Sequence, residues 1–214
     1  MQIDKLVLGA YENNCYIIRK DKTAADCLII DTGLDYEPLI DFLNREKLNP
    51  LFLILTHGHA DHIAGAEELR RNFKNIKICI HKDDANMLGD AADNFSHFAG
   101  VEITAAPADI IFDKEGPVEF ANLKFELIHT PGHTPGGICL YNKEDNVLFS
   151  GDTLFAGSIG RTDFAGFDAQ KCFQRLVDNI KTKLLILPDE TTVLSGHGGR
   201  TSIGREKRAN PFLC

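Results

Sequence analysis

The sequence predicts an α/β protein of four layers, two β-sheets packed face to face with helices outside. Three observations carry that expectation. Strand-like apolar runs alternate with stretches of helical periodicity along the chain. No Pro/Gly/Ser linker or low-complexity tract interrupts it, and 214 residues at 43% hydrophobic content are enough to bury one large core. The expected organisation is therefore one domain over residues 1–214.

In order, Leu6 to Leu8, Cys15 to Ile18 and Cys27 to Ile30 read as strands leading into the turn Asp31-Thr32-Gly33. A helix with Leu39, Ile40, Phe42 and Leu43 on one face precedes the fully apolar run Leu51 to Leu55, a buried strand. Asp61 to Phe73 reads as a helix, Ile76 to Ile80 as a strand and Asp83 to Leu88 as a short helix. Residues 89–109 are poorly patterned, and an irregular stretch this long is where a lid or substrate loop is expected. Leu123 to Ile128, Ile138 to Tyr141, Val147 to Phe149 and Val193 to Leu194 read as strands, and Ala169 to Lys181 as a helix. The two halves share this style without a short-period repeat.

The formal charge of −8, with no dense Lys/Arg stripe, excludes a nucleic-acid partner and favours a small substrate. No run approaches about 20 apolar residues, and Leu6 to Ala10 is too short for a signal-peptide core, so neither a membrane span nor a leader is expected. The cysteines, Cys15, Cys27, Cys79, Cys139, Cys172 and Cys214, form no C-x-x-C pair. They read as free thiols of a reducing cytoplasm.

The chemistry is concentrated in Thr56-His57-Gly58-His59-Ala60-Asp61-His62, directly after the buried strand. His57 and His59, one residue apart, turn their imidazoles to the same side; Asp61 and His62 follow closely enough to serve a second ion. His133 in Thr130-Pro131-Gly132-His133-Thr134, Asp152 in Ser150-Gly151-Asp152-Thr153 and His197 in Ser195-Gly196-His197-Gly198 each end an apolar strand among small residues. Such loops present reactive groups from a rigid frame, and glycine lets the backbone approach an ion. Five His and two Asp without Cys suit two divalent ions, zinc first, with iron or manganese as alternatives, and Asp152 as the bridge because a carboxylate offers two oxygens. Such a centre supplies hydroxide at neutral pH and a Lewis acid, hence hydrolysis. His81, His97 and His129 lack the glycine-rich setting and read as ordinary histidines. Asp31 reads equally as a turn cap or as the partner of a ligand imidazole. Thr56 and Ser195 read as donors to the ligand loops or as loop formers.

Through these seven residues the chain resembles the metallo-β-lactamase superfamily, from about Tyr11 to Phe212, and within it the short glyoxalase II-like (hydroxyacylglutathione hydrolase-like) hydrolases. The resemblance implies an αβ/βα sandwich of two mixed β-sheets with outer helices. It implies His57, His59 and His133 on one metal, Asp61, His62 and His197 on the other, and Asp152 between them. Asp61 and Asp152 then take part in catalysis, Asp61 orienting the attacking hydroxide. The stretches Thr153 to Phe155, Gly160 to Phe164 and Ile203 to Phe212 look like the thioester-hydrolase branch, so the implied partner is a small acyl thioester. Asp152 argues against β-lactam hydrolysis. Arg161, Phe155 and Phe164 are the candidate substrate contacts, Arg161 as the partner of a substrate carboxylate. Full-length glyoxalase II has a further C-terminal helical region with glutathione-binding basic residues, which a chain ending at Cys214 is too short to contain. Its Lys and Tyr after the bridging Asp are here Arg161 and Asp163. Persulfide dioxygenases, with one iron on the equivalents of His57, His133 and Asp152, are the alternative, as is a non-catalytic metal-binding protein of the same fold.

Overall fold

A computed structural model describes residues 1–213, so Cys214 lies outside the described residues. The chain runs β1 (Gln2–Leu8), β2 (Asn13–Arg19), β3 (Asp26–Ile30), α1 (Glu37–Arg45), β4 (Asn49–Ile54), α2 (Ala60–Ile63), α3 (Ala66–Asn72), β5 (Lys77–His81) and β6 (Ile110–Phe112). The second half runs β7 (Gly116–Phe120), β8 (Leu123–His129), β9 (Ile138–Asn142), β10 (Val147–Gly151), β11 (Leu154–Phe155), β12 (Ser158–Ile159), α4 (Ala169–Asn179), β13 (Thr192–Ser195), β14 (Thr201–Ser202) and α5 (Ile203–Ala209).

Both main sheets are six-stranded and mixed. The first has the order β1-β2-β3-β4-β5-β6, antiparallel on the β1 side and parallel from β3 to β6. The second has the order β14-β13-β10-β9-β8-β7, with β10 and β13 parallel and its other pairs antiparallel. Three apolar layers hold this together. Between the sheets lie Ile18, Leu28, Ile30 and Ile54 from one side and Phe125, Leu127, Leu140 and Phe149 from the other. Tyr16 meets Phe149 edge-on at 5.4 Å, a ring geometry worth about 1 kcal/mol beyond area. On the outer face of the first sheet, Leu39 and Leu43 of α1 and Leu69 of α3 pack on Ile17, Ile29 and Leu53. On the outer face of the second, Leu176 and Val177 of α4 and Ile203 of α5 pack on Cys139, Leu148 and Val193. Helix, sheet, sheet, helix is the four-layer order that the alternating pattern predicted.

The helices are locally encoded. Helix α1 has Pro38 in its first turn, Glu37 at its positive end and Arg45 at its negative end, and buries Leu39 and Leu43 at i,i+4. Asp168 caps α4 by accepting from Lys171 N at 3.1 Å, and a five-residue π turn, Ile180–Leu184, extends it. The reading of one helix over Asp61 to Phe73 is corrected to two, α2 and α3. The break falls at Gly65, where a Cβ would stand 2.8 Å from Tyr36 Cβ, so the chain turns tightly against the β3 loop. The short helix expected over Asp83 to Leu88 is present as a 3-10 helix, Lys82–Gly89. Cys15, Cys27, Cys79 and Cys139 are buried free thiols, and Cys172 is half-buried and free. Among the described residues no helix is long and apolar enough to cross a membrane.

Candidate metal centre

The site lies at one rim of the sandwich, where β4, β8, β10 and β13 end in loops. Strand β4 delivers Thr56 and His57; His59 is the residue before α2, in extended conformation, so Asp61 and His62 occupy the helix's first turn. His133 follows β8, Asp152 follows β10 and His197 follows β13. All seven side chains predicted as ligands converge here.

Their reactive atoms fall into two halves. His57 Nε2 is 3.1 Å from His59 Nδ1 and 3.2 Å from His133 Nε2. Three nitrogens on a tetrahedral ion with bonds near 2.0 Å stand about 3.3 Å apart, so these separations fit one shared cation. In the other half, Asp61 Oδ2 is 3.2 Å from His197 Nε2 and 3.7 Å from His62 Nε2. Asp152 lies between them: Oδ1 is 3.5 Å from His62 Nε2, while Oδ2 is 3.6 Å from both His133 Nε2 and His197 Nε2. Oδ1 is buried without a hydrogen-bond donor, an arrangement that is costly unless a cation faces it. Groups within 4.8 Å of one another are His57/His59/His133, His57/His62/Asp152 and Asp61/His62/His197.

The remote ring nitrogens support the same reading. His62 Nδ1–H donates to Asp31 Oδ2 at 2.9 Å, His133 Nδ1–H to Arg161 O at 2.9 Å and His197 Nδ1–H to Tyr11 O at 2.9 Å. His57 Nδ1–H is 3.2 Å from Thr56 Oγ1, which itself donates to Asp31 Oδ2 at 2.7 Å. In the neutral form of each ring these contacts leave the Nε2 lone pair turned into the centre, the usual provision for a metal-binding imidazole. Asp31, read from sequence either as a turn cap or as a partner, holds two imidazoles, one directly and one through Thr56. It is buried at φ 56 and also accepts from Thr56 N at 2.7 Å. Ser195 Oγ donates to His197 O at 2.7 Å and braces that loop.

The electrostatics follow from burial among like groups. Burial, then the neighbouring imidazoles, hold His57 and His59 well below the ordinary histidine range. At His62 burial pulls down but Asp61, Asp152 and Asp31 prevail and push it up to about 10. Burial raises Asp61, yet His62 and His197 keep its carboxyl well below the usual range. Neutral His57 and His59 present free lone pairs to the centre, while His62 would have to give up a proton to face a cation.

Two residues at the site were not singled out from the sequence. Asn13 Nδ2 lies 2.9 Å from His62 Nε2. Asp84, fully buried, accepts from Gly58 N at 3.1 Å and Thr134 Oγ1 at 2.7 Å through Oδ2, and from Gly136 N at 2.6 Å through Oδ1. It ties the His57–His59 loop to the loop carrying His133. Its one sequence cue is a second Asp straight after the β5 run. Burial pushes Asp84 up to about 6 against the pull of these three donors. The folded protein therefore holds this proton at higher pH than the unfolded chain. Stability from this group is complete below about pH 4 and is lost as pH rises through about 6, by about 3 kcal/mol for two pKa units. In metal-free protein Asp84→Asn is expected to flatten that part of the unfolding free energy. It also turns an amide towards N–H donors, which costs about 2 kcal/mol at pH 7; thermal melts from pH 4 to 7 measure both.

The other histidines stay apart from the seven. His97 is exposed. His81 and His129 stack at 4.0 Å and 18°, with Nε2–H of His129 donating to Pro135 O at 3.0 Å. With Asp83 they form a further His/Asp group, but stacked rings send their in-plane lone pairs along parallel lines rather than to one point.

Above the centre opens a cleft of about 830 Å³ lined by Phe155, Phe164 and Arg161 among others. Phe164 is 4.7 Å from the His59 ring and Phe155 6.3 Å from the His197 ring. Arg161 is exposed at the rim, paired with Asp163 at 2.9 Å and poised 5.1 Å over the Phe164 ring.

Comparison with known proteins agrees with this geometry. A hydroxyacylglutathione hydrolase named GloC, from Haemophilus influenzae, is 38% identical over all of this chain and 98% of its own length. The solved structure of BLEG-1 B3 metallo-beta-lactamase is 40% identical and superposes with TM-score 0.91, covering 99% of both chains. That of TTHA1623 in a di-iron-bound form is 33% identical with TM-score 0.84, covering 98% of this chain and 100% of that one. The family model for the metallo-beta-lactamase superfamily matches residues 8–197. With the two mixed sheets and the His/Asp clusters at their rim, the chain belongs to the metallo-beta-lactamase superfamily of metal-dependent hydrolases.

Proposed function

We propose that the protein is a dinuclear-metal hydrolase of acyl thioesters of the hydroxyacylglutathione type. The observation that carries the reading is the placement of Asp152 between two complete three-residue halves, with one oxygen towards His62 and the other towards His133 and His197. His57, His59 and His133 would hold one cation, Asp61, His62 and His197 the second, with Asp152 shared. When bound, two such cations supply a water acidic enough to attack at neutral pH and a Lewis acid for the carbonyl oxygen. Zinc suits this N/O set, and the di-iron form of TTHA1623 makes iron the alternative.

The chain's own groups supply the rest. Asp61, held ionised by His62 and His197, is placed to accept a hydrogen bond from the attacking water and orient it. Attack forms a C–O bond and breaks C–S, and the departing thiolate takes up its proton from solvent. Because thiols ionise near pH 8.5, no side chain need act as the acid. Arg161 and Phe164 form one wall of the approach and Phe155 the other. The partner is a small molecule, and the reduced state of the buried cysteines supports a cytoplasmic setting.

Protein loaded with zinc should hydrolyse S-lactoylglutathione, and chelation should abolish that activity until metal is restored. A phosphodiester, a chromogenic cephalosporin and glutathione persulfide complete the panel. Cleavage of the cephalosporin alone would replace the thioester reading with the activity named for BLEG-1. Oxygen uptake with persulfide at one iron per chain would replace it with dioxygenase chemistry. Two bound metals without any turnover would leave a non-catalytic metal-binding protein.

A further inference from the structure

From the walls of the cleft we infer a selectivity within the thioester class: aromatic or branched apolar acyl groups are favoured over small hydroxyacyl groups, with little dependence on the charge of the thiol carrier. The inference rests on the thioester reading above.

The first observation is an aromatic wall over the His59 side of the centre. Phe95 and Phe164 lie 4.9 Å apart at 31°, and Phe98 is 5.9 Å from Phe95. Phe95 and Phe164 each also touch the His59 ring, at 5.2 and 4.7 Å. This is not a closed core: Phe98 is 71% exposed, and Tyr11 and Val101 at the same opening are 56% and 48% exposed. Adjoining apolar side chains left in water around a concave polar centre mark a binding surface. Beside the cleft, sharing His59, His133 and the Phe95, Phe98 and Phe164 rings with it, a groove of about 300 Å³ also bordered by Met87, Asp83 and Asp93 has room for a six-membered ring.

The second observation is how Phe95 is held. Its backbone has φ 65, the left-handed region that costs a bulky residue about 1–2 kcal/mol. The frame imposing it is Asn94, fully buried, whose Nδ2 donates to Met87 O at 2.9 Å and Ile103 O at 2.8 Å. Asn94 Oδ1 accepts from Ser96 N at 3.0 Å, and its carbonyl accepts from Ala60 N, beside His59, at 3.0 Å. The irregular stretch 89–109 is thereby built to carry a strained phenylalanine over the ligand loop. Packing alone does not require this, since the ring is only half-buried.

The third observation is charge. Among the described residues lining the cleft, Arg161 is the one Lys or Arg, and Asp163 already pairs with it. Asp83 and Asp93 border the adjoining groove. Glutathione brings two carboxylates and nucleotide-bearing carriers bring several phosphates. Away from the ligand candidates Asp61 and Asp152, either meets one engaged guanidinium and three acids, so carrier charge has little to work with and apolar contact decides selectivity.

The test uses the metal-loaded full chain and four thioesters: lactoyl and phenylacetyl groups, each on glutathione and on N-acetylcysteamine, a neutral truncated thiol. The expected result is kcat/KM higher for phenylacetyl than lactoyl by about ten- to a hundred-fold on both carriers. The two carriers are expected to agree within about threefold. Phe98→Ala should lower the phenylacetyl preference mainly through KM while metal content stays at two per chain. A lactoyl preference, equal rates for the two acyl groups, a tenfold preference for glutathione, or an unchanged acyl preference in Phe98→Ala would overturn the inference and leave thioester hydrolysis standing. No hydrolysis of any of the four by protein holding two metals would overturn both.

Discussion

Asp152→Ala is expected to lower bound metal from two per chain to one or none and to reduce kcat by about a thousand-fold or more. Asp152 contributes to both halves of the centre: Oδ1 faces His62, and Oδ2 faces His133 and His197. Without it, His57, His59 and His133 still form a three-nitrogen set, but the second half keeps only Asp61, His62 and His197 and loses the group that fixes its spacing from the first. Loss of charge stabilisation worth several kcal/mol corresponds to that fall in rate. The fold should survive, because Asp152 sits in a loop outside the three apolar layers. Elemental analysis with steady-state kinetics measures the outcome, and unchanged far-UV circular dichroism separates it from misfolding. Retention of both metal and turnover would remove Asp152 from the centre.

Asp31→Ala should come next in size, by a different route. Asp31 does not face the opening; it holds the imidazole of His62 directly and that of His57 through Thr56. Its removal frees one ring in each half, so metal affinity should fall by about 10- to 100-fold, more strongly at the His62 half, where the contact is direct. It also leaves Thr56 N buried without its acceptor, which destabilises by about 1–3 kcal/mol. Asp31→Asn, which keeps an oxygen for Thr56 but cannot satisfy every donor, should fall between. Competition against a chelator of known affinity reads the metal term, and a melt of metal-free protein reads the stability term. Wild-type affinity in Asp31→Ala would make the residue only a turn former.

What could be read in the sequence depended on how locally each feature is encoded. His57, His59, Asp61 and His62 lie within six residues, and His133, Asp152 and His197 each carry glycine at a neighbouring position. At Gly196 the reason is visible: a Cβ there would fall on Asp152 Oδ1 and crowd His62. Asp84 was illegible because its donors, Gly58 and Thr134, lie 26 and 50 residues away. The acceptors for His133 and His197 are backbone carbonyls, of Arg161 and Tyr11, which any side chain would supply. Among strands, β6 and β7 escaped because each is a sheet edge, and β7 opens Gly116-Pro117, a pair tolerated only there. Strands β11, β12 and β14 are two residues long, below any periodic signal. The stretch 89–109 reads from the sequence as irregular, a place where a lid or substrate loop is expected. That it carries Phe95 and Phe98 to the cleft depends on Asn94 reaching Met87 and Ile103, contacts that no periodicity encodes.

Metal per chain, measured by elemental analysis after zinc loading and exhaustive dialysis, tests the central claim most directly. Seven side chains converging in two halves about Asp152 predict two equivalents in the wild type and no more than one in Asp152→Ala. One equivalent or none in the wild type, or two in both proteins, would contradict it.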